Sequence, residues 1–303
     1  MADRYIIHGS TYNGDGTTSA AAASNGAPGA WNTIAYFEGT APAYGTLPAG
    51  TTVFIRSKDA AGANITRTLA ASISLGSSAA TSVSWVNWII DNGAVWAGID
   101  GVITYTHANT YTTTIRQYNY IEAKTQNALV FSNTSTNQSA GTTLIALNGT
   151  LVRPKIDWSV KTGSGQCVAV LMGDHAVLES PEIVWGAIGG ASSDVRGLVR
   201  GVTNGTAKFT VLRPRISLNN ATVGMPLFYI GDSARSLCII SGGDVTGIGA
   251  TTLQALLCPA SNATGRFEVT GLQFPRTMDV VNAANDSTTL ISGTGAFTVI
   301  GCD

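Results

Sequence analysis

The second half of this chain repeats one short phrase, in which apolar residues run into a Pro or Gly and another apolar residue follows. These breaking residues lie 27, 33, 29 and 28 residues apart by subtraction, and they are Pro154, Pro181, Pro214, Gly243 and Gly271. Each copy therefore places a short apolar run on either side of a residue that interrupts regular structure. Short strands joined by corners at a period of about 30 residues predict a solenoid in which each repeat forms one turn.

A second marker precedes each copy of the phrase, and it consists of residues that favour a tight corner. The pairs are Asn148-Gly149, Gly173-Asp174, Asn204-Gly205, Gly231-Asp232 and Asn262-Ala263. Gly, Asn and Asp accept the backbone angles that corners require, while the Val, Ile, Leu and Phe of the apolar runs favour strands. The expected fold is all-β, with strands of successive turns stacked about 4.8 Å apart. An array of β-sandwiches is the competing fold, and the repeat length fits it less well.

Few residues of this chain are charged, which limits the partners that it can have. Charged residues make up 12% of the 303 residues, and the net charge is −1. Nucleic acid and anionic membrane surfaces both attract a basic face, so neither is expected as a partner. A surface with so little charge tends to associate. We therefore expect this low-charge surface to be buried in an oligomer or a larger assembly.

The start of the chain and its cysteines indicate where it is made. No apolar signal core follows Met1, and no run of 18 apolar residues is present. The cysteines form no C-x-x-C pair, and Cys167 and Cys238 lie inside apolar runs. They are therefore expected to be buried free thiols. Together these features predict synthesis in a reducing cytoplasm.

The first fifty residues carry a resemblance to a known family. A strand at 5–8 leads into a small-residue loop at 14–29, a Trp31-x-Thr33 segment follows, and a Pro-x-Gly turn precedes a strand at 52–56. This arrangement resembles the first turn of right-handed parallel β-helix proteins of the pectate-lyase-like kind, which are common among phage virion proteins. The resemblance implies a right-handed single-stranded parallel β-helix.

In that family the Trp-x-Thr segment usually opens an amphipathic helix that caps the hydrophobic end of the solenoid. Here Gly39, Pro42 and Gly45 leave little room for a long helix. Nothing in the chain resembles an interdomain linker, so one β-domain is expected. Residues 1–56 form its N-terminal cap segment, and residues 57–303 form the β-helix body.

The body begins with apolar runs that lie outside the regular repeat. These runs predict strands between 60 and 145, among them 83–90 and 111–120. The turn signal Asp91-Asn92-Gly93 separates two of the runs.

Polysaccharide cleavage is the sharpest enzymatic hypothesis, because many pectate-lyase-like β-helices perform it. Such chemistry needs two or three carboxylates close together on one face. The best pair is Asp174 and Asp232, which share a Gly-Asp-x-Ala phrase and lie 58 residues, or two turns, apart by subtraction. Stacking would separate them by about 10 Å, just beyond the ~6.5–9.5 Å of inverting glycosidases. Gly-Asp is better interpreted as a recurring corner turn, so no catalytic residue, cofactor or metal ion is expected, with Asp174 and Asp232 as the catalytic alternative.

Basic residues flank two of the corner prolines in the same register. They are Arg153, Lys155, Arg213 and Arg215. One interpretation is a basic stripe that faces an acidic partner or a neighbouring subunit, and another is a set of solvated outward positions. Glu179 and Glu182 occupy the intervening turn, which favours a structural ladder of ion pairs.

Histidine and tryptophan offer two further sets of candidate residues. The histidines, His8, His107 and His175, follow no metal-binding spacing and no Ser-His-Asp order, so packing or surface roles are expected. Five tryptophans could stack on sugars, although burial in the core or a subunit interface is expected instead. They are Trp85, Trp88, Trp96, Trp158 and Trp185.

These observations favour a non-enzymatic structural protein of a bacteriophage particle. The phage β-helix proteins that this chain resembles commonly form trimers, and three low-charge prisms side by side would hide their bare flanks. Tailspikes usually carry a separate N-terminal anchor domain, whereas the solenoid here is expected to begin by residue 5. The first choice is therefore a homotrimeric capsid cement or decoration protein, located on the virion surface and bound to the major capsid protein.

Shell contacts are expected in the 14–29 loop and in residues 36–50. The residues named for this role are Gly14, Asp15, Gly16, Tyr36, Phe37 and Tyr44. The alternative function is a tailspike or receptor-binding protein that binds or cleaves host surface polysaccharide. A secreted bacterial adhesin is disfavoured by the missing signal peptide.

Overall fold

A computed structural model of the chain describes most of its residues. The described residues are 3–91, 93, 95–108, 110–136, 142–162, 167–187, 198–202, 207–220, 227–230, 236–246, 255–259, 266–273, 289–291, 296–300 and 302.

The structure is built almost entirely from short strands. In chain order they are β1 (Arg4–Ile6), β2 (Thr52–Arg56), β3 (Ile65–Leu69), β4 (Ile73–Leu75), β5 (Val86–Asp91), β6 (Ile103–His107), β7 (Thr113–Ile115), β8 (Asn119–Ala123), β9 (Leu129–Asn133), β10 (Thr143–Leu147), β11 (Thr150–Val152), β12 (Lys155–Trp158), β13 (Val168–Met172), β14 (Val177–Glu179), β15 (Glu182–Ala187), β16 (Val199–Gly201), β17 (Lys208–Leu212), β18 (Arg215–Asn220), β19 (Phe228–Ile230), β20 (Leu237–Ser241), β21 (Asp244–Thr246), β22 (Ala255–Pro259), β23 (Arg266–Thr270), β24 (Thr289–Ile291) and β25 (Ala296–Ile300). Within the described residues, the helical content is one 3₁₀-helix, Ile34–Tyr36.

The strands form three parallel sheets that run along the solenoid. The ten-stranded sheet has the order β1-β2-β5-β8-β11-β14-β17-β20-β23-β25. The eight-stranded sheet follows β24-β22-β19-β16-β13-β10-β7-β4, and the seven-stranded sheet follows β21-β18-β15-β12-β9-β6-β3. Neighbours in each sheet come from successive turns of the chain, which is the topology of a parallel β-solenoid. Since β-sandwiches are antiparallel, the competing fold is wrong.

Like residues stack on like inside the solenoid. One inner row of the seven-stranded sheet runs from Phe131 through Ile156, Ile183 and Ile216 to Val245. All five side chains are buried. Alternate residues of each short strand point inward, so a strand of three to six residues contributes only a few side chains. The core is therefore continuous along the axis, because each turn supplies the same positions.

The repeated phrase forms the corner between the ten-stranded and seven-stranded sheets. At each of these corners, the residue directly after the strand of the ten-stranded sheet has a left-handed backbone conformation. Its φ is 55° at Arg153, 48° at Ser180, 47° at Arg213 and 65° at Gly242. Each of these residues also donates its N–H to a carbonyl of the next turn, for example Ser180 N to Leu212 O at 2.7 Å. The corner thus continues the hydrogen-bond ladder between the sheets, and the corners predicted from the phrase are confirmed.

Two predicted strands differ from those in the structure. The run at 111–120 divides into β7 and β8, with a corner at Tyr118 whose φ is 59°. The run at 83–90 begins only at Val86, since Val83 is 93% exposed in the preceding turn. Both runs are rich in residues that favour strands, so composition alone did not reveal their ends.

Candidate functional site

The cap segment closes the N-terminal end of the core, and glycine allows its loop to lie flat against it. Gly16 has a φ of 79°, and a β-carbon there would lie 2.5 Å from Cε2 of Trp31. The loop extends the sheet locally, because Tyr5 N donates to Gly16 O and Trp31 N donates to Tyr5 O. The chain therefore folds back over β1 before it enters the regular turns.

Two aromatic residues of the cap, Tyr36 and Phe37, point into the core. Phe37 is buried, with its ring 5.2 Å from that of Trp88 and 6.5 Å from that of Tyr105. Tyr36 is also buried, and its hydroxyl accepts hydrogen bonds from Asn13 Nδ2 at 2.6 Å and from Ala43 N at 3.2 Å. The 3₁₀-helix that carries Tyr36 is a single turn. This agrees with the prediction that the segment has little room for a long helix.

The residues named for shell contact differ in their exposure to solvent. Of the residues named for shell contact, Gly14, Gly16, Tyr36 and Phe37 are buried, so they shape the cap and do not form its surface. Asp15 is partly exposed, and Tyr44 is 40% exposed. Tyr12, which sequence reasoning did not name, is 43% exposed. In a glycine-rich loop the sequence has no periodicity, so it does not show which aromatic side chains are buried and which are exposed.

Most of the cap, from residue 10 to residue 50, carries little charge. Residues 10–50 contain two charged side chains, Asp15 and Glu38. Asp15 Oδ1 accepts hydrogen bonds from Thr17 N, Thr17 Oγ1 and Gly29 N. Burial acts to raise the pKa of Asp15, but the hydrogen bonds from Thr17 and Gly29 outweigh it and lower that pKa. The carboxylate is thus held as part of the loop.

Glu38 fastens the cap to the body through Arg67. Arg67 Nε lies 2.8 Å from Glu38 Oε1, and Arg67 Nη2 lies 2.8 Å from Glu38 Oε2. Arg67 is in register with Tyr105, so the ion pair lies above the inner row of the seven-stranded sheet. The hydrogen bond to Glu38 raises the pKa of Arg67. Burial, followed by the charge of Glu38, raises the pKa of Tyr105 well above its ordinary value.

A polar groove lies at the corner between the eight-stranded and ten-stranded sheets. It has a volume of about 480 Å³ and is lined by Thr114, Arg116, Gln117, Asn148 and Asp174. These residues belong to three successive turns, at the ends of β7, β10 and β13. Glycine keeps the floor low, since a β-carbon on Gly173 would lie 2.4 Å from Asn148 Oδ1. The sequence marked Asn148 and Asp174 as corner residues, but nothing in its pattern marked Arg116 or Gln117.

Asp174 is fixed by its own corner. Its Oδ1 accepts a hydrogen bond from Lys208 N at 3.0 Å, and its Oδ2 lies 3.0 Å from Nδ1 of His175. His175 has a φ of 59° and is mostly exposed, as is expected at a tight turn. The interpretation of Gly-Asp as a corner turn is therefore confirmed for this copy. Asp232 lies outside the described residues, so its expected distance of about 10 Å from Asp174 stays a prediction.

Three of the basic residues beside the corner prolines take part in ion pairs. Arg213 pairs with Glu179, Arg153 pairs with Glu122, and Lys155 Nζ lies 3.6 Å from Glu182 Oε1. Cross-strand register also sets charges of alternating sign in one row, which runs Lys155, Glu182, Arg215 and Asp244. The expected pairing with the acids of the intervening turn is confirmed for Arg213 and Lys155, whereas Arg153 pairs with Glu122 of the preceding turn.

The large tryptophans fill the core. Trp88, Trp158 and Trp185 are buried, and the rings of Trp158 and Trp185 lie 5.2 Å apart. Trp85 and Trp96 are partly exposed, and they contact the rings of Tyr118 and Tyr5 respectively.

The remaining candidate residues described here, one histidine and two cysteines, are buried in the core. His107 is buried, with Nδ1 3.1 Å from Ser132 O and Nε2 2.9 Å from Thr113 Oγ1. Burial lowers the pKa of His107. Cys167 and Cys238 are buried free thiols, as expected, and burial raises the pKa of Cys167 to about 11.

Among the described residues, no group of three or more His, Cys, Asp or Glu side chains is placed to hold a metal ion. No helix in that part of the chain has the length and apolar character needed to cross a membrane. Comparisons with models of protein families, with curated proteins and with solved structures found no match.

Proposed function

We propose that this chain is a non-enzymatic structural protein of a bacteriophage particle. In this proposal it is a capsid cement or decoration protein, a right-handed β-helix that forms homotrimers on the virion surface. The cap segment within residues 1–56 contacts the major capsid protein, and the body at 57–303 forms the trimer. One observation carries the proposal: residues 10–50 form an ordered surface whose two charged side chains are both bound within the chain.

Such a surface has the composition of a protein interface. The centres of protein interfaces are depleted in charged residues and enriched in tyrosine. Tyr12 and Tyr44 are the large exposed apolar side chains of the cap among the described residues. Trp31 Nε1 donates to Tyr44 O at 2.8 Å, which fixes the backbone that carries one of these rings. Such preorganisation lowers the entropy lost on binding.

The outer face of the ten-stranded sheet supports the homotrimer. Val177, Leu212 and Ile239 lie on this face on successive turns and are partly exposed. Glu179 on the same face is paired with Arg213 of its own chain. This internal pairing removes Glu179 as a source of repulsion between two copies of the face. Sedimentation in solution should give a trimer, and a monomer would contradict this part of the proposal.

The capsid role is tested with particles assembled in the presence and absence of the protein. Particles saturated with the protein are expected to release their DNA at a higher temperature than particles that lack it. The double variant Tyr12→Ser, Tyr44→Ser should bind the particles at least tenfold more weakly, because hot-spot tyrosines each contribute about 2 kcal/mol or more. Val83→Ser is the matched control, since Val83 is exposed outside the cap. Equal heat resistance with and without the protein would refute the cement function.

A further inference from the structure

A row of charged side chains crosses the outer face of the seven-stranded sheet. Each of four successive turns supplies one residue, and the cross-strand register gives the order Lys155, Glu182, Arg215 and Asp244. We infer that these four residues, the charged row, bind the charged row of a second copy of the chain around a two-fold axis. This inference goes beyond the proposed function, which assigns the capsid contact to the cap and the trimer contact to the ten-stranded sheet.

The signs of the charged row make it complementary to its own reverse. They alternate along the solenoid axis and begin with plus, so a copy that runs in the opposite direction begins with minus. A two-fold axis parallel to the strands, between β15 and β18, produces this arrangement. It places Lys155 opposite Asp244 of the second copy, and Glu182 opposite Arg215 of the second copy. Symmetry repeats both contacts, as an interface between identical surfaces requires.

The spacing of the row also suits this pairing. Adjacent strands of a sheet lie about 4.8 Å apart in both copies, so all four pairs stay in step. Two sheets that face each other pack about 10 Å apart. Each pair joins a long basic side chain to a shorter acidic one, and the two together can span this distance.

Arg215 is the member of the row that most favours an external partner. It is exposed, and its neighbours in register on both sides are the acids Glu182 and Asp244. Within the described part of the chain, however, Arg215 forms an ion pair with neither of them. Glu182 Oε1 lies 3.6 Å from Lys155 Nζ instead. The Arg215 guanidinium is therefore available to an acid of a second copy.

The other outward side chains of these four turns allow a close approach. Asp157, Val184, Ser217 and Thr246 form a second row beside the charged row. The same two-fold axis sets Val184 opposite Ser217 of the second copy. It sets Asp157 opposite Thr246 of the second copy, whose hydroxyl can donate a hydrogen bond to the carboxylate. No two like charges meet among these eight side chains.

The two copies of such a pair run in opposite directions. Their caps therefore lie at opposite ends and cannot both rest on one shell, so the pair is a form of the free protein. Exposed ion pairs are individually weak, and salt screens them. The association is thus expected to be weak and to be strongest at low ionic strength.

Sedimentation equilibrium of the purified chain tests the inference. At low ionic strength the average mass should rise with protein concentration, and added salt should reduce this rise. Arg215→Glu should weaken the association about tenfold or more, because two attractive contacts become repulsive. The double variant Glu182→Arg, Arg215→Glu restores opposite signs at both contacts and should recover the association. Lys124→Glu is the matched control, since it changes the net charge equally at a residue outside the four strands.

Three outcomes would overturn the inference. They are a mass that does not rise with concentration, an association that Arg215→Glu leaves unchanged, and a double variant that associates as weakly as the single one. Circular dichroism should show that each variant is folded, because Arg215 is exposed and Glu182 lies on the outer face. Failure of the proposed trimer would lower the mass of the smallest species, whereas failure of the pair would remove the effect of Arg215→Glu. The two proposals therefore fail separately.

Discussion

Arg67 and Glu38 form a bidentate ion pair, with two N–O distances of 2.8 Å, that ties the cap to the first turns of the body. Planar pairing of this kind gives the strongest geometry available to a guanidinium and a carboxylate. Glu38 is the better shielded partner, with 10% of its side chain exposed against 42% for Arg67. The cap is thus held to the body by this ion pair, by backbone hydrogen bonds such as Gly76 N to Phe37 O at 2.8 Å, and by the buried ring of Phe37.

Replacement of this carboxylate should loosen the cap. Glu38→Gln is expected to cost about 1 kcal/mol, since Arg67 is partly screened by solvent. Amide exchange in residues 33–40 should become faster, while exchange in β12 and β15 should stay unchanged. Glu268→Gln is the control, because Glu268 pairs with Arg266 on β23, which is far from the cap in the order of the ten-stranded sheet. Equal effects of the two variants would contradict the role of Glu38.

The buried position of Phe37 leads to a prediction that separates packing from surface contact. Phe37→Ala should lower the free energy of unfolding by about 3–5 kcal/mol, as expected when a large buried ring is removed. Tyr44→Ala should change it by less than about 1 kcal/mol, because the ring is 40% exposed. Urea denaturation measures both. Similar stabilities for the two variants would show that Phe37 does not fill the core.

Two neighbouring glycines at one corner should respond differently to the same substitution. Both have positive φ, so alanine costs about 1–2 kcal/mol at either site. A β-carbon on Gly242 would meet Arg213 Cγ at 3.4 Å, whereas one on Gly243 would lie 2.3 Å from Pro214 O. Gly243→Ala should therefore cost a further 1–3 kcal/mol or so from overpacking. Equal losses in urea denaturation would contradict the close approach at Gly243.

The buried histidine predicts a loss of stability in mild acid. Burial lowers the pKa of His107 from its ordinary 6.5, so the unfolded chain binds the proton more readily than the folded one. Stability is then constant above about pH 7 and falls as the pH drops below the unfolded value of 6.5. His8 acts in the same direction, since burial and, next, the charge of Arg67 lower its pKa.

The test compares thermal unfolding at pH 7.5 and 5.5. His107→Gln should be less stable at pH 7.5 but should lose less on acidification than the parent chain. His175→Gln is the control, because this side chain is mostly exposed. A parent chain that is equally stable at both pH values would contradict the prediction.

The repeats could be located from the sequence because their corners carry residues with specific backbone requirements. The prolines at 154, 181 and 214 each follow a residue with φ between 47° and 55°. The corner at Tyr118 gave no such mark. At Tyr118 the chain turns without a Gly or Pro, and the strand predicted over 111–120 therefore ran through a corner. A left-handed tyrosine is tolerated there because tertiary packing outweighs the local preference.

The polar groove could be predicted only in part, for a similar reason. Asn148 and Asp174 lie in recognisable turn pairs, but Arg116 joins them solely because the turns stack in register. The aromatic residues of the cap were recognised as part of the first turn. Which of them face the core depends on the fold of a loop that has no periodicity, so Phe37 and Tyr44 could not be distinguished by sequence.

The left-handed corner residues have a consequence for how turns align. Each donates its N–H to the following turn, and a proline comes directly after it at Arg153, Ser180 and Arg213. If one turn slid past its neighbour by a single position, a proline would occupy the donating site, where it has no N–H and cannot adopt positive φ. The corners therefore fix the register between neighbouring turns, because a shift by one residue would lose these hydrogen bonds.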